Sequence, residues 1–492
     1  MVLLNKSLTN PVKRPIKVLQ FGEGGFLRAF VDYMIDVANE KGNFDGDIVI
    51  VKPIEFGNLD FFKEQDCQYT LTMSGMENGQ EKTITRVITS VADAVAAVEE
   101  YDRFMEYAKT EDLRFIVSNT TEAGIVFNAD DKFEMCPPAT FPGKLTKFMY
   151  ERYKWCNGDS SMGLILLPVE LIDNNGKELK RCVFEYIDLW GLEEGFKTWL
   201  EEACVFASTL VDRIVTGYPR ESAEEMWDEL GYRDNLLNTS ELFALWVIES
   251  DKDISEEFPL DKAGMPVVFT NNLKPYKKRK VRILNGAHTS FVLASFLAGN
   301  DYVIESMNDR DVSQYMKDTI FNEVIPSLPT RNDNSYTDFA ESVIERFEHP
   351  YMKHRLLSIS LNSVSKWRAR CMPSLKSYII KEGKLPKHLI FSLASLMQFY
   401  TGTEIRNGAL IGHRMGDEEY EVMDDMNVLE FFAEKSTTLP EAQFVQEFLS
   451  NEDFFGEDLT KFDGVAEGVT EYLIKIRTLG VREAMQQVFG EN

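Results

Sequence analysis

The stretch VLQFGEGGFLRAF, residues 18–30, decides how the rest of the chain is read. It runs from an apolar, strand-like segment through Gly22, Gly24 and Gly25 into a helical pattern with Phe26, Phe30, Met34 and Val37 on one face. Glycines in that place let backbone N–H groups approach a pyrophosphate, and a helix N-terminus favours the same anion. The match to G-x-G-x-x-G is imperfect, because Leu27 holds the third glycine's place. On these residues alone a dinucleotide turn competes with a tight structural turn.

Context favours the first. Apolar runs recur at IKVLQFG (16–22), DIVIVKP (47–53), LRFIVSNT (113–120) and MGLILLPVEL (162–171), with helical patterns between them. Strands that are apolar throughout and alternate with helices predict a parallel sheet covered on both faces. QYTLTMSG and TITRVITS, separated by a Gly/Asn-containing turn, predict an antiparallel hairpin inserted into that alternation. The expectation for residues 1–270 is an α/β, Rossmann-type, doubly wound dinucleotide-binding domain.

From about residue 300 the texture changes. VSQYMKDTIFNEVI, YTDFAESVIERF, RLLSISLNSVSKWRARC, HLIFSLASLMQFY and the terminal GVTEYLIKIRTLGVREAMQQVFG all carry hydrophobic spacings of three and four. Pro326, Pro329, Pro350, Pro373 and Pro386 punctuate them. Residues 271–492 are therefore expected to form a mostly α-helical substrate-binding and catalytic domain, joined to the first near NNLKPYKKRK. No fixed-period repeat or low-complexity segment is present.

Bulk properties exclude several classes. A length of 492 residues predicts two or three domains, and 44% hydrophobic with 27% charged residues is ordinary for a folded protein. The formal net charge of −27 argues against nucleic acid, whose phosphates would be repelled over most of the surface. An acidic small molecule would be repelled too, so an anion site needs its own basic groups. The N-terminal segment lacks the continuous apolar core of a signal peptide, and LIFSLASLMQFY is too short to span a bilayer, so no membrane partner is expected. Six scattered cysteines without a C-x-x-C pair suit reduced thiols in a cytoplasmic enzyme. With no H-E-x-x-H and no clustered His/Cys set, no metal is expected.

Two further segments carry candidate chemistry. SNTTEAG (118–124) follows an apolar strand, so Asn119, Thr120 and Thr121 fall where the nicotinamide side of such a cleft lies, with Glu122 as a local cap. A plain strand-to-helix loop explains the same residues. At the second strand's end, Glu55 suits an adenine ribose and Lys52 suits a 2′-phosphate, which leaves NAD and NADP open. RKVRILNGAHTS (279–290) holds Lys280, Asn285 and His288 within roughly 140° of one another if it is α-helical. A lysine ammonium can protonate a carbonyl oxygen as hydride arrives, an asparagine amide can hold the developing oxyanion, and a histidine can fix a neighbouring hydroxyl. The plain alternative is a capping histidine beside solvated lysines, in a basic run that also resembles a nuclear-import tag.

Lys-x(4)-Asn-x(2)-His resembles the signature of the polyol-specific long-chain dehydrogenases, the mannitol dehydrogenase family. The similarity extends to QFGEGGFLRAF, TEAG, STLVDRIVTGYP and the segment IERFEHPYMKHRLLSISLNSVSKWRARCMPSL, nearly the whole chain. It implies that Lys280 is the acid/base, Asn285 the oxyanion donor and His288 a substrate binder. It implies NAD as cofactor, contacted by Phe21, Gly22, Gly24, Gly25, Phe26, Asn119, Thr120 and Thr121. Within the family the wording is nearest to the branch acting on keto-hexuronates, which implies interconversion of D-tagaturonate and D-altronate. A fructuronate reductase or another polyol dehydrogenase is the enzyme alternative, and a cofactor-binding redox sensor the non-enzyme one. An acid/base lysine disfavours the sensor.

One departure stands out. Mannitol and fructuronate members carry Cys-Asp-Asn ahead of their Asn-Gly, and that asparagine is a second oxyanion donor. Here LPVELIDNNG puts Leu171 in its place. Asp212 is expected to tune Lys280 or bind a hydroxyl. Lys366, with Arg368 or Arg370, is expected to meet the substrate carboxylate, against the plain reading of a solvated helix end. A monomer is the expected assembly.

Overall fold

The glycine turn lies between the first parallel strand and the first long helix of a computed structural model that describes residues 1–77, 80–121, 123–331, 333–349, 354–414 and 418–490. The chain divides into two units, Met1–Tyr276 and Lys277–Asn492, where the sequence suggests a boundary at 270/271.

In the first unit, β1 (Ile16–Phe21) leads through the turn into α1 (Gly25–Glu40) and then β2 (Asp47–Lys52). Next come β3 (Tyr69–Glu77), β4 (Gln80–Ile88), β5 (Val91–Ala96), β6 (Phe115–Ser118), β7 (Ile165–Pro168), α2 (Asn175–Trp190) and β8 (Val205–Phe206). The main sheet runs β5-β2-β1-β6-β7-β8, and every neighbouring pair is parallel. Counting only its own strands, that order is 3-2-1-4-5-6, the doubly wound order, with its switch point between β1 and β6.

The physical reason is legible along β1. Val18 joins the core formed with Leu27, Phe30 and Met34 of α1, while Leu19 and Phe21 join the core on the opposite face with Leu145, Phe148 and Leu179. A two-residue period with both phases apolar requires cover on both sides. The expected hairpin is present: β3 and β4 pair antiparallel from Tyr69↔Ile88 to Glu77↔Gln80. Its turn residues, 78 and 79, lie outside the described residues. The pair belongs to a four-stranded sheet completed by Val215–Gly217 and Asn238–Glu241. β9 (Ser208–Asp212) starts a smaller sheet with Leu245–Glu249 and Val267–Thr270.

The second unit is mostly helical, with three corrections to the sequence reading. RLLSISLNSVSKWRARC is not one helix: Leu356–Ile359 and Ser363–Arg370 are separated at Asn362, whose left-handed backbone (φ 53°) stops the first. The terminal pattern likewise breaks at Gly480 (φ 81°) into Val465–Leu479 and Val481–Phe489. A three-stranded antiparallel sheet, Ile405–Arg406, Ala409–Arg414 and Glu418–Val422, stands where no strand was expected. Pro373 and Pro386 open helices as the punctuation suggests, whereas Pro350 lies outside the described residues.

Candidate active site

The glycines of the first unit are not interchangeable. Gly22 has φ 130°, and a Cβ there would meet Leu27 Cδ1 at 3.1 Å and the Asn119 carbonyl oxygen at 3.2 Å. Only glycine fits. A Cβ on Gly24 would touch nothing within 4 Å, so the turn opens at that point. Gly25 begins α1 without a side-chain cap on the helix, and its carbonyl accepts from Asn238 Nδ2 at 2.8 Å. An open glycine beside uncapped first-turn amides fits a dinucleotide pyrophosphate. Phe26 stacks on Phe30 with ring centroids 5.1 Å apart. Phe21 is fully buried against Phe104 and Phe141, so only its backbone can face a ligand.

The loop after β6 lies beside this turn, with the Asn119 N–H donating to Phe21 O at 3.0 Å. Glu170, just past β7, holds it: its carboxylate accepts from the Thr120 N–H and hydroxyl at 3.0 Å each and from Ser118 Oγ at 3.1 Å. Burial pushes that carboxyl up, against the hydrogen bonds that favour its ionised form. Thr121 has φ 104°, a strained backbone for a β-branched residue. Gly124 is required, since a Cβ there would overlap Thr120. Glu122, expected as a cap, lies outside the described residues. Leu171 follows Glu170 and is 64% exposed, an aliphatic side chain without a hydrogen-bonding group.

Lys52 is buried, and its ammonium donates to Ile54 O at 2.7 Å, Glu55 O at 3.2 Å and Glu99 Oε1 at 2.9 Å. Its hydrogens are thus engaged by the loop that follows β2 and by Glu99, just past β5. Asp212 ends β9 and is buried. The adjacent Arg213 clamps the same stretch, donating to Ala29 O at 2.7 Å and to Glu241 O.

In the second unit the catalytic candidates stand on an irregular helix. Lys280–Asn285 is a π-helical turn, after which α3 (Gly286–Leu297) continues as ordinary helix. The Gly286 N–H reaches Val281 O, five residues back. Such bonding widens the turn to about 4.4 residues, so Lys280 and Asn285 lie about 50° apart instead of about 140°. Three ordinary helical steps then return His288 to within about 10° of Lys280. The α-helical estimate is corrected in the direction that groups all three on one face.

His288 stacks on Phe347, centroids 4.3 Å apart and planes at 28°, and meets His354 edge-on at 5.7 Å. The residue is partly exposed, but its Nε2 is shielded from solvent and has no hydrogen-bond partner. Burial drives its pKa well below the usual range, and the positive charges of His354, Arg346, Arg370 and Lys366 drive it further. The ring is neutral. Lys366 and Arg370 lie one turn apart on α4 (Ser363–Arg370). Lys366 Nζ donates to Ile359 O at 3.0 Å and Arg370 to Thr289 Oγ1 at 3.2 Å. Burial lowers both pKa values, and the neighbouring Arg370 charge lowers Lys366 further. Two like charges held together in a part-buried place create a site that an anion relieves. Arg368 is exposed and packs by Gly456 instead.

Sequence reasoning missed Glu170, Thr289, Arg346, Phe347 and His354. Only Glu170 left a signal, as an acid at the carboxyl end of an apolar strand. All six cysteines are free thiols. Among the described residues no cluster of His, Cys, Asp or Glu is placed to hold a metal, and no helix is long and apolar enough to cross a membrane.

A glycine-turned, doubly wound unit followed by a helical unit with lysine, asparagine and histidine on one face is the build of a two-unit polyol-type dehydrogenase. The sequence pattern of the mannitol dehydrogenase Rossmann domain matches residues 16–262, and that of the mannitol dehydrogenase C-terminal domain matches residues 272–477. The chain belongs to the mannitol dehydrogenase family. It is similar to the altronate oxidoreductase of Phocaeicola vulgatus, 40% identical over 488 residues that cover 99% of this chain and 100% of that protein. An altronate oxidoreductase of Escherichia coli O7:K1 is 41% identical over 492 residues, 99% of each chain. Among solved structures, a substrate-free D-sorbitol dehydrogenase superposes with a TM-score of 0.77 at 21% identity, over 98% of this chain and 100% of that one. The Pseudomonas fluorescens mannitol 2-dehydrogenase complex with NAD and D-mannitol superposes with a TM-score of 0.69 at 20% identity, over 100% of both chains. These two likenesses concern the fold.

Proposed function

We propose that this protein is an NAD-dependent altronate oxidoreductase that interconverts D-tagaturonate and D-altronate. The observation that carries this reading is a cation pair, Lys366 and Arg370, in the electrostatic neighbourhood of a neutral, unpartnered His288, in a chain of net charge −27. A neutral polyol has no need of such a pair. A hexuronate carboxylate does. Full-length similarity to altronate oxidoreductases supports the same substrate.

NAD, when bound, takes or supplies the hydride. The chain's own residues do the rest. Gly22, Gly24 and Gly25 admit the pyrophosphate, and Asn119, Thr120 and Thr121 line the nicotinamide side, with Thr120 fixed by Glu170. In the direction of reduction, Lys280 Nζ gives a proton to the keto oxygen, while the Asn285 amide donates to that oxygen as charge develops. Leu171 supplies no second donor, so Asn285 and Lys280 carry the oxyanion between them. His288 Nε2, neutral, accepts from a neighbouring hydroxyl, and Lys366 and Arg370 hold the carboxylate. Asp212 contributes a carboxylate to substrate binding. The engaged Lys52 ammonium supports NAD over NADP, because a 2′-phosphate would have to displace its existing partners. Free thiols suit the reducing cytoplasm.

Turnover of NADH and NADPH with tagaturonate, fructuronate and fructose tests this reading. The highest kcat/KM is expected for tagaturonate with NADH. A preference for fructuronate or fructose would move the enzyme to another branch, and NADH binding without any turnover would make it a sensor.

A further inference from the structure

Arg282 lies inside the π-helical turn, between Lys280 and Asn285, and is 4% exposed. Two steps of the widened turn put it about 160° from Lys280, on the opposite side. Among the described residues its guanidinium has two hydrogen-bond partners, both neutral: Nε donates to Ser374 Oγ at 2.5 Å, and a terminal nitrogen donates to Ser327 Oγ at 2.9 Å. Burial brings its pKa down to about 10. The two hydroxyls belong to different elements. Ser374 is in the first turn of the helix Met372–Glu382. Ser327 closes a second irregular segment, the π-helical turn Thr319–Val324 with the short helix Ile325–Ser327. Ser327 gives its own proton to Val324 O at 2.6 Å, which leaves its oxygen free to accept from Arg282.

We propose that Arg282 is a positioning residue: bound to Ser327 and Ser374, it holds Lys280–Asn285 in the wide turn that brings the lysine and the asparagine onto one face. This rests on the reading of Lys280 and Asn285 as reacting groups. The need for a latch follows from the helix itself. Bonds from i to i+5 are poorer than those from i to i+4, so an unrestrained segment tends to rewind. Rewinding would carry Asn285 from about 50° to about 140° away from Lys280. A second tie, the Cys371 thiol donating to Gly286 O at 3.6 Å, sits at the turn's end and fixes nothing between the two residues. Arg282 grips the middle, where Ile283 and Leu284 are buried as well, and its fork reaches two divergent hydroxyls where a lysine would reach one.

Three variants test it: Ser327→Ala, Ser374→Ala and Arg282→Met. Each is measured for kcat and KM per folded molecule with NADH and tagaturonate. Each is also followed by hydrogen exchange over residues 280–286 against residues 290–297, a readout that needs no substrate. The expected result is a fall in kcat of about 10-fold for either serine variant and about 100-fold for Arg282→Met, the scale of a misplacement near 1 Å. KM for NADH should move less than about 2-fold, and exchange should quicken in 280–286 alone, as placement rather than cofactor binding is lost. Arg282→Lys should recover part of the kcat lost in Arg282→Met. Unchanged exchange over 280–286, or unchanged kcat per folded molecule, would overturn the proposal. If the wild type reduces no keto-hexuronate, the functional reading fails by itself, and the exchange pattern still decides whether Arg282 holds the turn.

Discussion

The imidazole of His288 lies nearly flat on the ring of Phe347, 4.3 Å between centroids and 28° between planes. This contact fixes the ring's tilt while its Nε2 makes no hydrogen bond. Stacking of this kind contributes about 0.5–1.5 kcal/mol beyond area burial. Phe347→Leu keeps an apolar side chain and removes the stack, so kcat/KM for the keto acid should fall by about 10-fold. NADH affinity, read by fluorescence titration, should not change. An equal loss in both would mean that Phe347 supports the unit rather than the histidine.

Lys280→Met should lower kcat by about 100-fold or more, the usual scale for a lost acid/base, while NADH still binds. Stopped-flow measurement of the hydride step checks this directly. Turnover near the wild-type rate would remove the lysine from the mechanism.

Lys366→Ala should raise KM for tagaturonate by about 10- to 100-fold, because a charge-assisted hydrogen bond contributes about 1.5–3 kcal/mol. A neutral ketose of the same length, if turned over, should be almost unaffected. Equal damage to both would place the carboxylate elsewhere and leave Lys366 on a hydroxyl.

Asp32 on α1 gives a pH test away from the site. Burial pushes its carboxyl up from 3.8 to about 7. Its Oδ1 and the Oε1 of neighbouring Gln20 are two buried oxygens without a donor, and a proton on Asp32 supplies one. The folded state therefore holds this proton more tightly than the unfolded chain does. Its stabilising contribution is full below the unfolded value of 3.8 and is lost as the pH rises to about 7. Asp32→Asn never ionises, so its Tm should gain on the wild type between pH 4.5 and pH 7.5. A constant gap across that range would show that Asp32 titrates alike in both states.

Much of the fold was legible because burial on two faces leaves a strong mark: β1, β2, β6 and β7 are apolar in both phases. The glycine turn was legible for a steric reason, since Gly22 cannot carry a Cβ. The helical breaks were less so. Asn362 and Gly480 are ordinary residues inside convincing periodic patterns, and only the backbone shows that each takes a positive φ. The three catalytic candidates could be named from their spacing, yet the angle between them could not, because 100° per residue is an assumption about a regular helix. Arg282 looked like one more basic residue in a basic run. Its partners lie 45 and 92 positions further along, and neither carries a charge to advertise the pairing.

The π-helical turn also sets a rule for how this segment can change. Counted against a regular helix, Lys280–Asn285 holds one surplus residue, and that surplus rephases everything after it by about 100°. α3 is buried nearly all round, and its side chains, Phe291, Val292 and Leu293 among them, meet their present neighbours only with the extra residue in place. Losing any one position between 280 and 285 would yield a straighter, better-bonded helix whose side chains meet the wrong neighbours. Exchanging a side chain here can cost activity but leaves that phase intact, whereas changing the number of residues does not. Its chemistry depends on which residues stand there, and the packing of α3 depends on how many.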